Sequence, residues 1–421
     1  MITEILSGYY IPYILNATTD TYNDIAIIGL QILVPLYAQN NDERINKIVD
    51  CIENILPSIY LNEKIIDVLY NAIENNNQYI KLKIILLKLY VKMGCYQKTF
   101  DLLPQFTDSN IKIILYCTVL VHLLPENYNV EDIIRYYIDN SNDKDLISAL
   151  YTCLLGFYMR TKSSKDTIKF YEDFCKSNSL INDCDKHIIE KNVSIYYNTA
   201  DAKRMIIGAC KHFKKHNQYR LAIGSYITLS TRCVQNGELN LGKRILITLE
   251  KSWMINEENQ AYIDNNLSVI NLLKDLTNSN TLRRLKDTYY FCEDPYSKLL
   301  VTNNLLICSI KEKDYVEAEK YASEIEKAGF NKFQFDDYLH VAFTNLIYYY
   351  KFANNKEKIK LYTDKLYKLY QSCNSTELKK YILKQLSGKQ LNSESRWKYL
   401  SDFDFRPAFM GHWFINNFDY S

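Results

Sequence analysis

Two groups of residues have the types and spacing to bind a metal ion. His212 and His216 are four positions apart, which would place two imidazoles on one face of a helix. Both lie in the lysine-rich string KHFKKHNQYR, whose positive charges oppose a cation, so a solvated helix face is the better interpretation. Cys175, Cys184 and His187 offer three more zinc ligands, but their spacing fits no closed zinc site. We therefore predict neither a metal site nor a cofactor.

The motifs of common catalytic and nucleotide-binding sites are missing. The sequence has no GxxxxGK[ST] loop and no GxGxxG turn, so neither phosphate-binding loop is available. It also has no HExxH and no GxSxG. We expect a protein that acts by binding and is not an enzyme.

Segment 203–237 has the strongest charge feature, with seven cationic residues and no acidic one. The seven are Lys203, Arg204, Lys211, Lys214, Lys215, Arg220 and Arg232. Such a run can attract a peptide carboxylate, an acidic protein surface or nucleic acid, and a solvated helix face is the alternative. Seven charges around one helical hairpin do not form a long phosphate-binding track, so nucleic acid is the weakest candidate.

The composition indicates an all-α protein of the cytoplasm. Only 11 Gly and 7 Pro occur among 421 residues, so tight turns are scarce. Residues 1–150 carry 18 acidic and 11 basic side chains, and residues 151–421 carry 31 and 40, for net charges of −7 and +9. This asymmetry indicates an anionic partner or contact between the two ends. The eleven cysteines are scattered along the chain, which is typical of reduced thiols in a cytoplasmic protein. No apolar run is long enough to predict a membrane span.

A repeat runs along most of the chain. One stretch reads Tyr90-x3-Gly94-x-Tyr96-x2-Thr99-x3-Leu103, and another reads Tyr315-x2-Ala318-x3-Ala322. Both resemble the second half of the tetratricopeptide (TPR) motif, in which a small residue on helix B lets helix A approach closely. Positions equivalent to Tyr96 fall at Val130, Ser164, Lys203, Leu239, Thr277, Tyr315 and Lys356, in steps of 34, 34, 39, 36, 38, 38 and 41 residues.

The TPR resemblance implies a right-handed superhelix of roughly nine or ten antiparallel helix pairs. We expect residues 1–60 to form N-terminal helices that cap the solenoid, residues 61–372 to form the repeats, and residues 373–421 to form a C-terminal helix and an aromatic tail. An unrelated helical solenoid of similar period is the alternative.

One column of the repeats is rich in asparagine. Six residues after the start of five successive predicted A helices stand Asn192, Thr228, Asn266, Asn304 and Asn345. Helix A lines the concave groove of a TPR superhelix, and a side-chain amide can both donate to and accept from a peptide backbone. The column predicts a groove that holds an extended peptide. Bonds to neighbouring helices, or a bias toward Asn in the genome, are the alternatives.

This column resembles the groove of the peptide-sensing TPR regulators of low-G+C bacteria and their phages. The resemblance implies a signal sensor or regulator. Residues 1–60 show no convincing helix-turn-helix, so DNA binding is not implied.

The tail is unusually aromatic, with Phe405, Phe409, Trp413 and Phe414 around Pro407 and Gly411. Irregular backbone with so many rings needs a cover. Either the tail folds back as a cap on the last helices, or it docks into a partner or a second copy of the chain.

We therefore expect an all-α, TPR-like protein that binds a protein or peptide in its concave groove, with self-association as a further candidate. The alternative is a structural scaffold or adaptor subunit of a larger complex.

Overall fold

Helices account for nearly all of the structure that can be described. The computed structural model describes residues 34–35, 38, 63–74, 79–92, 95–106, 109–123, 129–176, 178–251, 257–274, 279–292, 295–328, 336–373 and 376–387. These ranges contain eighteen α-helices and no β-strand, so the all-α prediction is confirmed for them. None of these helices is both long and apolar enough to cross a membrane.

The chain divides into two compact units between Ile133 and Ile134. The first unit holds α1 (Glu63–Ile73), α2 (Ile80–Lys92), α3 (Tyr96–Leu102), α4 (Asn110–Leu123) and the start of α5 (Val130–Asp139). Leu69, Leu86 and Tyr90 belong to its core. The Tyr90 hydroxyl donates a 2.6 Å hydrogen bond to Asp67, which ties α2 to α1.

The second unit holds the rest of α5 and thirteen further helices. They are α6 (Lys144–Thr161), α7 (Ser164–Phe170), α8 (Asp183–Val193), α9 (Thr199–Lys215), α10 (Tyr219–Gln235), α11 (Leu239–Glu250), α12 (Glu257–Lys274), α13 (Ser279–Phe291), α14 (Pro295–Lys311), α15 (Tyr315–Ala328), α16 (Asp336–Phe352), α17 (Lys356–Ser372) and α18 (Thr376–Ser387). From α8 to α18 each helix packs against the helices before and after it, as expected of a helical solenoid.

The predicted repeat markers agree closely with the helix boundaries. Tyr96, Val130, Ser164, Leu239, Tyr315 and Lys356 are the first residues of α3, α5, α7, α11, α15 and α17. The marker Lys203 lies four residues inside α9, which begins at Thr199, and Thr277 lies outside the described residues. We call the even-numbered helices from α2 the first helices and the odd-numbered helices from α3 the second helices.

Three turns from a first to a second helix share one geometry. Gly237, Lys313 and Asn354 have φ values of 84°, 62° and 56°, in the left-handed region. The next residue in each case donates its backbone N–H to a carbonyl five positions earlier, as Glu238 does to Cys233 at 2.9 Å. This is a standard way to end a helix, and it is how the chain turns at Gly237.

A small residue lies three positions into many second helices. Thr99, Thr167, Ala202, Gly242 and Ala318 all occupy this slot and all are buried. At Gly242 the backbone of α11 comes so close to α10 that Ser230 Oγ donates a 2.9 Å hydrogen bond to the Gly242 carbonyl. A Cβ atom here would lie 2.6 Å from Val234 Cγ2 and 3.0 Å from the Ser230 carbonyl oxygen.

First and second helices differ in exposure. Residues 299–310 of α14 are all buried, and α10, α12 and α16 are buried along most of their length. The second helices α9, α11, α15 and α17 each keep an exposed stripe. A helix without a polar stripe is one that is covered all round, so these first helices form the interior of the second unit.

Two glycines of neighbouring second helices should respond in opposite ways to alanine. Gly242→Ala should lower the free energy of unfolding by about 1–3 kcal/mol, because the new methyl group meets backbone. Gly208→Ala, on α9, should raise it by about 0.5–1 kcal/mol, because a Cβ there meets nothing within 4 Å and alanine favours the helix. Urea denaturation of both variants checks the pair. Equal shifts in the same direction would contradict the close approach of α10 and α11.

Candidate functional site

The five residues of the asparagine column lie inside the protein. Asn192, Thr228, Asn266, Asn304 and Asn345 lie on α8, α10, α12, α14 and α16, and each is 0–2% exposed. The predicted exposure of these side chains to a groove is therefore corrected: they are buried among helices. Binding of a peptide by the chain stays a prediction, and these amides do not line an open surface for one.

Three of the column residues bond to the preceding first helix. Asn345 Nδ2 donates to Asn303 Oδ1 at 2.8 Å, which joins α16 to α14. Asn304 Nδ2 donates to Asn265 Oδ1 at 2.7 Å, which joins α14 to α12. Asn266 Nδ2 approaches Thr231 Oγ1 at 3.5 Å, between α12 and α10. We call this set of contacts the amide ladder.

The ladder works because two adjacent asparagines on one helix face different neighbours. Successive residues of an α-helix are about 100° apart around the axis. Asn266 and Asn304 therefore reach back to the preceding first helix, while Asn265 and Asn303 accept from the following one. Within α12, Asn265 Nδ2 also donates to Asn266 Oδ1 at 3.1 Å.

Sequence reasoning selected one member of each pair and missed Asn265 and Asn303. The signal is visible in the strings DNNL (264–267), TNNL (302–305) and FTNL (343–346). A doubled amide beside a leucine, on a helix with apolar residues on every face, indicates two buried partners and not one exposed groove.

Charged contacts link the second-helix side of successive repeats. Lys203 of α9 pairs with Glu238, just before α11, at 2.6 Å. Tyr289 of α13 donates to Glu324 of α15 at 3.0 Å, and Tyr362 of α17 donates to Glu326 of α15 at 2.5 Å. These contacts join residues 35 or 36 positions apart, which is one repeat.

Glu326 is the most heavily bonded of these carboxylates. It accepts hydrogen bonds from Tyr350 at 2.8 Å, from Tyr362 at 2.5 Å and from Lys358 at 3.0 Å. Burial raises the pKa of Glu326, but the bonds from Tyr362, Lys358 and Tyr350 outweigh it, so the net shift is downward. The carboxylate therefore stays ionised and holds α15, α16 and α17 together.

The predicted anion-attracting cluster separates into structural and exposed members. Lys203 is paired with Glu238, and Arg232 is buried, where it donates to the Tyr197 carbonyl at 2.5 Å. The side chain of Arg220 lies outside what the structure describes. The remaining four, Arg204, Lys211, Lys214 and Lys215, are exposed on α9.

Comparison with known proteins gives no family assignment. No family model matches this chain, and no curated protein is detectably similar to it in sequence. The TPR resemblance and the likeness to peptide-sensing regulators therefore stay predictions.

The structure brings together three of the histidines considered as metal ligands. The ring centroids of His187 and His212 are 4.3 Å apart, and those of His212 and His216 are 4.5 Å apart. Burial, together with the two neighbouring imidazoles, lowers the pKa of His212. Among the described residues, no three His, Cys, Asp or Glu side chains are arranged to hold one metal ion. The adjacent, mutually tilted rings of His187 and His212 contribute packing at the α8–α9 contact.

The cysteines considered as zinc ligands are protonated thiols. Burial raises the pKa of Cys175 to about 12 and that of Cys184 to about 11. A thiol with such a pKa is neither a good nucleophile nor a ready metal ligand at neutral pH.

Lys191 is the least expected side chain of the interior. It lies on α8, next to Asn192 in the sequence, and is 0% exposed. Burial lowers its pKa well below the usual range, while the nearby Cys210 thiol acts weakly in the opposite direction. Charging the Lys191 amine in this buried site carries a desolvation cost, which is the reason that its pKa is low.

The predicted partner-or-cap residues Phe405, Phe409, Trp413 and Phe414 lie outside the described residues. So does nearly all of segment 1–60.

The amide ladder predicts that Asn304→Ala and Asn345→Ala each lower the free energy of unfolding by about 1–3 kcal/mol, because Asn265 or Asn303 loses its donor in a buried site. The measurement is urea denaturation. Asn142→Ala, at an exposed loop position, is the matched control and should change stability by less than about 0.5 kcal/mol. If Asn304→Ala changes the free energy of unfolding no more than this control does, the amide ladder does not stabilise the protein.

Lys191→Met should stabilise the protein in a pH-dependent way. The folded-state pKa of Lys191 lies below its unfolded value, so the unfolded chain binds more protons. Wild-type stability therefore rises with pH up to the unfolded lysine pKa of about 10.4. The advantage of Lys191→Met should be greatest at low pH and should shrink as the pH rises. Urea denaturation of both proteins from pH 6 to pH 9.5 tests this, and a constant difference would contradict it.

Proposed function

We propose that this chain is a non-enzymatic protein-interaction scaffold that binds protein partners through the solvent faces of its second helices. One observation carries the proposal: the first helices use their amides to bind one another and are buried along most of their length. The surface left for partners is that of the second helices, where exposed charged and apolar residues alternate.

The second-helix surface offers side chains suited to protein contacts. Val316 on α15 is 80% exposed, and Tyr367 and Leu361 on α17 are also exposed. These apolar side chains are surrounded by exposed lysines such as Lys320 and Lys360. Scattered apolar residues with charged neighbours are typical of the core and rim of protein interfaces.

Capture of an extended peptide along the first helices is the alternative. It needs first-helix side chains that a ligand can reach, and Gln260 on α12 and Ile347 on α16 are half-buried candidates. A sensor or regulator of the kind implied by the resemblance would depend on these positions.

The superhelical arrangement and the aromatic cap belong to the same proposal. A stack of helix pairs needs a cover at its last apolar face. We assign that role to Phe405, Phe409, Trp413 and Phe414 from their composition and their place after α18.

Site-specific photo-crosslinking in extract of the source organism distinguishes the two modes of binding. A photoreactive residue at Lys211, Lys320 or Lys360, on second helices, should capture protein partners. The same residue at Gln260 or Ile347, on first helices, should capture none. Crosslinks to a peptide from Gln260 and Ile347, without any from the second helices, would overturn the scaffold in favour of the groove.

A further inference from the structure

One face of α9 combines positive charge with an exposed apolar centre. Arg204, Ile207, Lys211 and Lys215 recur at three- or four-residue spacing, so they share one side of the helix. Arg204 is 80% exposed, and Ile207 is 40% exposed. Asp201 lies 3.2 Å from Arg204, in an exposed pair of the kind that stabilises little. We call this the α9 face.

Gly208 gives the α9 face a notch. A Cβ atom at this position would meet nothing within 4 Å. Glycine within a helix is less favourable than alanine by about 0.5–1 kcal/mol. No packing within the described part of the chain requires a glycine at position 208. The reason for the glycine is therefore sought in a partner that comes close to α9.

The complementary surface lies on α5 of the same protein. Asp132, Tyr136 and Asp139 are all exposed and lie on one side of that helix. Tyr136 is 62% exposed, between the two carboxylates. Arg135 turns toward its own repeat, where it bonds to Tyr158 at 3.3 Å and lies over the Phe174 ring. We call Asp132, Tyr136 and Asp139 the α5 face.

The two faces match in spacing as well as in charge. Arg204 and Lys211 are seven positions apart, as are Asp132 and Asp139, a separation of about 10.5 Å along a helix. Ile207 lies three positions after Arg204, and Tyr136 lies three positions before Asp139. An antiparallel alignment therefore sets Arg204 opposite Asp139, Ile207 opposite Tyr136, and Lys211 opposite Asp132.

We propose that the α9 face of one copy of this chain docks the α5 face of a second copy. This inference rests on the proposed function, since it names the chain itself as one protein partner of the second helices. The Tyr136 ring covers Ile207 and fills the notch at Gly208, while the two carboxylates meet the two cations. Because the contacting faces differ, the association is head-to-tail and continues until a ring closes or a filament forms.

A protein segment suits the α9 face better than a nucleic acid does. Phosphate binding would use the cations but leave Ile207 and the notch without a partner. The α5 face satisfies the charge, the apolar centre and the spacing together. Nucleic acid is therefore an outcome of the test and not the proposal.

Sedimentation velocity of the full-length protein, over a range of concentrations at low salt, tests the contact. Wild-type protein should show a sedimentation coefficient that rises with concentration and falls as salt screens the charges. Arg204→Glu with Lys211→Glu should weaken self-association roughly a hundredfold, and Asp132→Lys with Asp139→Lys should do the same. An equimolar mixture of the two double variants should associate again, because each supplies the face that the other lacks.

Two further variants separate docking from folding and from net charge. Gly208→Gln should abolish association while keeping or raising the free energy of unfolding, because its side chain fills the notch. Lys356→Glu with Lys368→Glu changes the net charge by the same amount as Arg204→Glu with Lys211→Glu, at exposed positions of α17, and should associate as wild type does.

Wild-type protein that stays monomeric at about 100 µM in low salt overturns the inference, because faces that match at this many points should associate weakly at least. The inference is also overturned if the protein with Arg204→Glu and Lys211→Glu still associates. It is likewise overturned if the wild-type protein is a monomer that binds a single-stranded oligonucleotide through these residues. In that case, photo-crosslinks from Lys320 or Lys360 to other proteins would still support the scaffold function, although the self-association would be disproved.

Discussion

The interior of the second unit depends on how its first helices satisfy their buried amides. Leaving an amide unpaired in such a buried site costs more free energy than a typical hydrogen bond contributes. Asn304 and Asn345 can therefore be buried only where Asn265 and Asn303 lie within reach on the helix before them. An apolar contact would tolerate a shift of one helix along the next, but a directional bond does not. The ladder thus fixes the register of one repeat on another.

Several successive repeats are consequently joined by two kinds of contact, one between first helices and one between second helices. Neutral amides join the first helices in the dry interior, where a charge would be costly. Carboxylates, tyrosines and lysines join the second helices near solvent, where Glu326 and its three donors hold α15, α16 and α17. Since the described first-helix amides are occupied by the fold itself, we place the proposed partner contacts on the second helices. This division is the physical reason for placing function on the second-helix side.

The repeat was predictable because it rests on local chemistry. A small residue in many second helices and a left-handed turn residue such as Gly237 can both be read without tertiary knowledge. The marker at Lys203 was wrong by four residues, about one helical turn, because a shift of that size leaves the same side of α9 facing the core. Periodicity fixes the face of a helix more firmly than its ends.

The orientation of the asparagine column was not predictable from spacing alone. A helix with one apolar stripe reveals which side faces solvent, but residues 299–310 are apolar or small on every side, so Asn304 has no solvent face to identify. The basic segment is divided for a related reason, since only Arg204, Lys211, Lys214 and Lys215 of its described side chains stay exposed. The partners of Lys203 and Arg232, Glu238 and the Tyr197 carbonyl, come from neighbouring repeats about 35 positions away, so only part of the charged run remains exposed in the fold.

Two glycines differ in whether packing within the chain requires them. Gly242 is needed by its own chain, since any side chain there would collide with Ser230 and Val234 of α10. Gly208 lies in the preceding second helix and is needed by nothing inside the described structure around it. Glycine disfavours the helix, and at position 208 no internal contact requires it, so its role is sought in a contact with another molecule. On α9 it lies beside Ile207 and among the exposed cations Arg204, Lys211 and Lys215, where an incoming helix would gain both apolar contact and charge.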